Sequence, residues 1–116
     1  MRPPLERDIQ RVCLDWMRLV GIFPVRVNSG AFGFGGDTGK KRFMRFNSEP
    51  GCSDCLAVLP GGRFLAVEFK RPGNKPTPHQ SSFLEAVKAR GGLALVVTGL
   101  DDLRKQLHDA GVQVVQ

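Results

Sequence analysis

The stretch "GCSDCLAVLPGGRFLAVEFKRPG", residues 51–73, decides the fold. It holds two β-like apolar runs, residues 53–59 and 64–70, and Pro60-Gly61-Gly62 separates them. Apolar runs on either side of a short glycine-containing turn are typical of a β-hairpin. The pattern therefore predicts two neighbouring antiparallel strands, although charged residues interrupt segments that otherwise suit burial.

The register of this hairpin decides whether its two acidic residues meet. A two-residue loop would pair Asp54 with Phe69 and send the two carboxylates to opposite faces of the sheet. A three-residue loop at Pro60-Gly61-Gly62 instead puts Asp54 opposite Glu68. Three-residue loops commonly end in a glycine with positive φ, which Gly62 can supply. The sequence therefore predicts the register in which the two acids face each other.

Facing carboxylates about 4.5–5.5 Å apart at Cβ destabilise a sheet unless a cation lies between them. One interpretation is a solvated face on which Lys70 balances Glu68, but the other residues of that face are apolar: Leu56, Val58, Phe64 and Ala66. A cleft with acids at its rim fits this pattern better, and carboxylate oxygens suit Mg²⁺ or Mn²⁺. Lys70 shares the face of Glu68, so its ammonium can reach a water bound to such a metal.

The other segments predict helices on both faces of a mixed sheet. The predicted elements are a helix at 4–20, a strand at 22–29, the two hairpin strands, a helix from Thr77 to Gly91-Gly92, a strand at 93–98, a helix at 101–110 and a possible edge strand at 112–115. The glycine-rich segment 30–51 is interpreted as a mobile loop with a short strand at 42–46. The fold class is α/β in the order α-β-β-β-α-β-α(-β), as a single domain over residues 1–116.

Gln80 has two possible roles. It stands three residues after Thr77, where it completes a capping box at the start of the helix. It also lies on the core-facing side of that helix, where it could join the acidic cluster. The sequence favours neither role over the other.

The charge of the chain points to a polyanionic partner. It carries 17 Lys and Arg against 11 Asp and Glu, a net charge of +6, which favours nucleic acid first and a membrane surface second. The basic side chains of Lys40, Lys41, Arg42 and Arg45 either contact a phosphate backbone or are solvated. No apolar run approaches the roughly 18 residues that cross a bilayer. With no secretory signal pattern and three cysteines without disulfide spacing, a cytoplasmic location is expected.

Three other motifs are poor candidates for chemistry. Cys52 and Cys55 form a C-x-x-C, but a structural zinc site needs four ligands, and Cys13, His79 and His108 stand at no ligand spacing. A redox C-x-x-C lies at a helix N-terminus, whereas this one enters a strand. The glycine-rich segment matches neither a Walker A loop nor a dinucleotide fingerprint. The two histidines are expected at the surface or at helix ends.

The chain resembles the VRR-NUC (virus-type replication–repair nuclease) family of the PD-(D/E)XK nuclease superfamily. The likeness rests on an ordered set of features: Gly51-x-Ser53-Asp54, a Gly-Gly turn, Glu68-Phe69-Lys70, and a glutamine-led helix that ends in Gly-Gly before an apolar strand. It covers residues 51–97 strongly and extends more weakly to 104. Ser53 replaces the proline of the superfamily name, at a position that is loosely kept. The resemblance implies a restriction-endonuclease-like mixed β-sheet flanked by helices.

The resemblance also implies roles for particular residues. The metal ligands would be Asp54, Glu68, the Phe69 carbonyl and Glu6 of the first helix, with Lys70 acting on the attacking water and Gln80 beside the site. Apart from the resemblance, the net charge favours contact with nucleic acid over solvation for the candidate binding residues Lys40, Lys41, Arg42, Arg45 and Arg71. Family members cleave DNA, and free-standing domains resemble four-way-junction resolving enzymes that act as homodimers.

The leading hypothesis is a Mg²⁺- or Mn²⁺-dependent DNA endonuclease that selects branched or junction DNA in replication, repair or recombination. The alternative is a non-catalytic nucleic-acid-binding domain with a relic nuclease fold, and the complete Asp/Glu/Lys set argues against it. A redox protein that uses the C-x-x-C is a remote third hypothesis.

Overall fold

The computed structural model describes residues 5–27, 31–35, 41–45 and 49–115, and it describes 31–35 and 41–45 by their backbone. The elements in these ranges are α1 (Glu6–Leu19), β1 (Phe23–Arg26), β2 (Ala31–Gly35), β3 (Lys41–Arg45), β4 (Cys55–Val58), β5 (Phe64–Phe69), α2 (Pro78–Ala89), β6 (Leu93–Val97) and α3 (Leu100–Asp109). No helix within these ranges has the length and apolar character needed to cross a membrane.

A four-stranded mixed sheet forms the centre of the molecule in the strand order β1-β4-β5-β6. β1, β4 and β5 are antiparallel neighbours. β6 runs parallel to β5, because helix α2 carries the chain back across the sheet before β6 begins. This arrangement confirms the α/β class and the mixed sheet that the sequence predicts.

Helices cover the two faces of the sheet unequally. α1 and α3 pack on one face over the larger apolar core, where α1 contributes Ile9, Cys13 and Met17 from one side of the helix. α2 packs on the other face over a smaller core around Ala66 and Leu84. α2 lies against β5 and β6, so it covers the half of the sheet that carries Glu68.

The glycine-rich segment differs from its prediction. Residues 31–35, interpreted as part of a mobile loop, form β2, and they pair antiparallel with β3 in a separate two-stranded ribbon. The predicted strand at 42–46 is observed at Lys41–Arg45. Glycine has a low intrinsic preference for strands, so cross-strand pairing rather than propensity organises β2. The remainder of the predicted loop at 36–40 and 46–48 lies outside the described residues.

The predicted edge strand at 112–115 is wrong. Residues 112–114 pack near the ends of α1 and α3, with Val112 and Val114 against the larger core. The Val115 amide donates to the Val20 carbonyl over 2.8 Å, at the end of α1. Packing of the half-buried Val112 and Val114 against the larger core therefore takes precedence over pairing with the sheet.

Candidate active site

The hairpin of β4 and β5 has the predicted register. Cys55 pairs with Val67, and Leu56 pairs with Ala66. The loop Pro60-Gly61-Gly62 contains three residues, and the Gly62 φ of 95° supplies the left-handed conformation that closes it. Continued by one step beyond Cys55, this register places Asp54 opposite Glu68.

Asp54, directly before β4, accepts hydrogen bonds from the backbone amides of two residues that end or follow neighbouring strands. Its carbonyl accepts from the Val27 amide over 2.8 Å, which extends the pairing of β1 with β4. Its carboxylate Oδ2 accepts from the Phe69 amide over 3.0 Å. The side chain is thereby oriented across the end of β5, beside Glu68.

Glu68 is an acidic residue in an apolar setting, since only 1% of its surface is exposed. Its pKa is raised from 4.5 to about 8, chiefly by burial and then by the negative charge of Asp54. The nearby positive charge of Lys70 opposes this shift. When both acids are ionised, Oε2 of Glu68 has no hydrogen-bond donor among the described residues. The site therefore lacks a positive partner at that oxygen.

A divalent cation fits this requirement. Two carboxylates lie together, one of them buried with an orphaned oxygen, and a cation would satisfy that oxygen and remove the repulsion between the acids. No group of three or more His, Cys, Asp or Glu side chains converges in the described part of the chain. Mg²⁺ commonly takes one or two carboxylates and fills its remaining positions with water and substrate phosphate. The two carboxylates of Asp54 and Glu68 match this mode of Mg²⁺ coordination.

Gln80 performs both of the roles that the sequence leaves open. Its side-chain Oε1 accepts from the backbone amide of Thr77 over 2.9 Å, and its backbone amide donates to Thr77 Oγ1 over 3.2 Å. These two bonds complete the capping box. Its Nε2 donates to Glu68 Oε1 over 2.9 Å. Because a backbone N–H can only donate, Thr77 fixes which end of the Gln80 amide faces Glu68. The start of α2 is thus joined directly to the acidic pair.

Gly51 brings the segment that carries Asp54 against the same helix. Its φ is 75°, and a Cβ at this position would clash with the backbone carbon and oxygen of His79 and lie 2.7 Å from the Gln80 amide nitrogen. No other residue fits without moving one backbone away from the other. The sequence contains this glycine in the family-like motif, but only the packing of α2 reveals what it contacts.

Gly51→Ala is expected to lower the free energy of unfolding by several kcal/mol, because it combines backbone strain with a clash against the first turn of α2. Gly73→Ala is the matched control, since its φ is 89° and nothing lies within 4 Å of the added Cβ. The control should lose only about 1–2 kcal/mol. Urea unfolding measures both, and equal losses would show that the contact with α2 contributes nothing.

The other predicted residues occupy different positions. Lys70 is half-buried and acts on Glu68 through its charge. The backbone amide of Phe69 donates a hydrogen bond to the Asp54 carboxylate. The role of the Phe69 carbonyl as a metal ligand stays a prediction. Glu6 is exposed at the first residue of α1 and joins no ligand group among the described side chains, so its role also stays a prediction. Arg71 follows the site at intermediate exposure.

The basic segment can be placed only in part. Lys41, Arg42 and Arg45 belong to the backbone of β3, and their side chains lie outside what the structure describes. Lys40 lies outside the described residues altogether. Contact between these residues and DNA stays a prediction.

The cysteines and histidines agree with their expected structural roles. Cys52 and Cys55 are both buried, and burial raises the pKa of the Cys55 thiol to about 12. Such a thiol is a poor nucleophile near neutral pH. His79 is exposed in the first turn of α2, and His108 is exposed in the last turn of α3. None of the described cysteines and histidines therefore forms a candidate site that rivals the pair of Asp54 and Glu68.

Comparisons with known proteins extend these observations. No protein-family model matches the chain. A stretch of 51 residues is 39% identical to "Putative nuclease p44" of Acyrthosiphon pisum secondary endosymbiont phage 1, covering 44% of this chain and 55% of that protein. The chain thus spans about half the length of this curated relative.

Two solved structures share the architecture over nearly the whole chain. One, described as "VRR_NUC domain", superposes with a TM-score of 0.62 at 23% identity and covers 89% of this chain and 94% of its own. Another, described as "VRR_NUC domain protein", superposes with a TM-score of 0.58 at 18% identity and covers 92% and 88%. The resemblance inferred from the sequence is confirmed at the level of the fold. The protein has the fold of a VRR-NUC domain.

Proposed function

We propose that this protein is a metal-dependent DNA endonuclease that hydrolyses phosphodiester bonds. The observation that carries the proposal is the buried Glu68, whose Oε2 has no hydrogen-bond partner among the described residues and whose pKa responds to the charges of Asp54 and Lys70. The VRR-NUC fold and the similarity to a phage protein named as a nuclease support the nuclease activity. The net charge of +6 suits a nucleic-acid substrate.

Each side chain of the site has a distinct task. Asp54 and Glu68 would hold Mg²⁺ or Mn²⁺, which supplies a more acidic bound water and stabilises charge on the phosphate. Gln80 holds Glu68 Oε1, which leaves Oε2, without a partner among the described residues, for the cation. Lys70 provides the cation that orients the attacking water and takes part in its deprotonation. Phe69 keeps Asp54 in place through its amide.

Selectivity for branched or four-way-junction DNA is part of the proposal, and so is a homodimer, since two symmetric nicks need two sites. An exposed apolar row supports a second copy as the partner. Phe23, Val58 and Phe64 are cross-strand neighbours on the α2 face of the sheet, in the part towards β1 that α2 does not cover, and they are 67%, 44% and 42% exposed. Sedimentation equilibrium of the purified protein measures the oligomeric state.

The decisive experiment is a cleavage assay on labelled linear, flap and four-way-junction DNA with Mg²⁺, Mn²⁺ or EDTA. Cutting that requires the metal and is fastest on branched DNA is the expected result. Binding without cutting in every metal would instead favour the relic nuclease fold with a purely binding role.

Lys70→Ala in the same assay should lower the cleavage rate by about 10²–10³-fold, because it removes the group that acts on the attacking water. Binding of uncut DNA in EDTA should change far less. Lys88→Ala is a control of equal charge on the exposed side of α2, where Lys88 pairs with Glu85. Undiminished cutting by Lys70→Ala would remove Lys70 from the site.

A further inference from the structure

The surface of α1 beside β1 carries a stripe of arginines that the proposed site does not use. Arg7, Arg11 and Arg18 are exposed. At 3.6 residues per turn they fall within about 40° of one another around the helix axis. Asp8 and Asp15 lie about 80–100° away from Arg7 on the same scale. The positive charges therefore form one line, and the acids stand to its side.

This stripe lines a groove rather than a flat surface. Arg26 of β1 also lines it, so four arginines line a cavity of roughly 530 Å³. Asp8 and Asp15 also line it, which leaves a formal excess of positive charge. The ion pair of Arg18 with Asp15 within it, at 3.8 Å, joins exposed side chains and contributes little to stability. The arginines therefore remain available to an external anion.

The groove begins at the end of the sheet that holds the proposed active site. Arg26 pairs with Cys55, and the next residue along, Val27, donates its amide to the Asp54 carbonyl. α1 turns directly into β1 and packs against it, so the helix runs back along the strand with Arg7 near the Arg26 end. The arginines from Arg7 to Arg18 span about 16 Å of helix, equal to about five base-pair steps at 3.4 Å each.

We propose that the groove lined by Arg7, Arg11, Arg18 and Arg26 binds the phosphate backbone of DNA that extends from the active site. The inference rests on the proposed function, since it assigns this surface to the same substrate. Arginine side chains suit the task because each guanidinium donates several hydrogen bonds to phosphate oxygens and keeps its charge. Contacts of this kind supply affinity and orientation without reading the sequence.

The test compares two triple variants that remove the same charge from different places. Arg7→Ala/Arg11→Ala/Arg18→Ala removes the three groove arginines of α1, whereas Lys88→Ala/Arg90→Ala/Arg104→Ala removes three exposed basic residues from α2, its C-cap and α3. Fluorescence anisotropy in EDTA measures binding of duplex and junction DNA from 50 to 300 mM salt. Circular dichroism verifies that both variants are folded, which surface substitutions should leave unchanged.

The groove variant should bind at least about 30-fold more weakly, and its plot of log K against log salt should lose roughly 2–3 units of slope. The control should lose less than about threefold. Equal losses in both variants would overturn the proposal, because they would reflect net charge alone. If the wild-type protein binds DNA but does not cut it with any metal, the proposed activity is overturned and the proposed groove is unaffected. Normal cutting and binding by the groove variant would overturn only the groove.

Discussion

Asp54→Asn and Glu68→Gln should each lower metal-dependent cleavage by about three orders of magnitude or more, and both should weaken Mn²⁺ binding. Each change removes one of the two negative charges that a divalent cation requires at this site. The amides are nearly isosteric with the acids, so the packing around β5 and α2 is retained. Electron paramagnetic resonance of free Mn²⁺ gives the affinity independently of catalysis.

Glu85→Gln is the matched control for these two variants. Glu85 lies on α2 with an exposed side chain paired to Lys88, so its removal changes the charge of the protein without touching the site. It should bind Mn²⁺ and cut DNA as the wild type does. Wild-type Mn²⁺ affinity in Glu68→Gln would show that this carboxylate does not hold the metal.

The metal-free protein should become less stable as the pH rises from about 5 to about 8. The pKa of Glu68 is about 8 in the folded protein against an ordinary value of 4.5, because burial and Asp54 both disfavour its charged form. Between these values the unfolded chain has released a proton that the folded protein still holds, so the free energy of unfolding falls with pH. The fall is on the order of 3 kcal/mol and levels off above pH 8.

Urea unfolding at several pH values in EDTA measures this dependence. Glu68→Gln should lack it and should be more stable than the wild type at pH 8, since no buried charge has to form. Mg²⁺ should stabilise the wild type at pH 8 and leave Glu68→Gln unchanged, because ligand bound to the folded state adds stability. If the stability of the wild type rises between pH 5 and 8, and Glu68→Gln behaves identically, the pH dependence does not come from the raised pKa of Glu68.

Some of the fold could be predicted because local signals determine it. The hairpin register follows from the length of the Pro60-Gly61-Gly62 loop and the alternation of its strands, and both are visible over some twenty residues. The start of α2 follows from Thr77, Pro78 and Gln80 for the same reason. Signals of this kind act between near neighbours, so they persist whatever the rest of the chain does.

Other features could not be predicted because distant segments create them. β2 forms from glycine-rich sequence that resembles a loop, and only its pairing with the predicted strand β3 reveals it. The predicted strand at 112–115 fails because packing against α1 and α3 competes with the sheet. The arginine groove exists only where α1 meets β1.

The pair of Asp54 and Glu68 has some properties that local sequence determines and others that only tertiary packing determines. The sequence alone determines that Asp54 faces Glu68 and that Lys70 shares the face of Glu68, because strand alternation and turn length are local properties. It does not determine that Gln80 reaches Glu68, that Gly51 touches α2, or that Glu68 is buried with an orphaned oxygen. Those properties arise when α2 covers β5, since the removal of water from a carboxylate depends on atoms that folding brings from elsewhere in the chain.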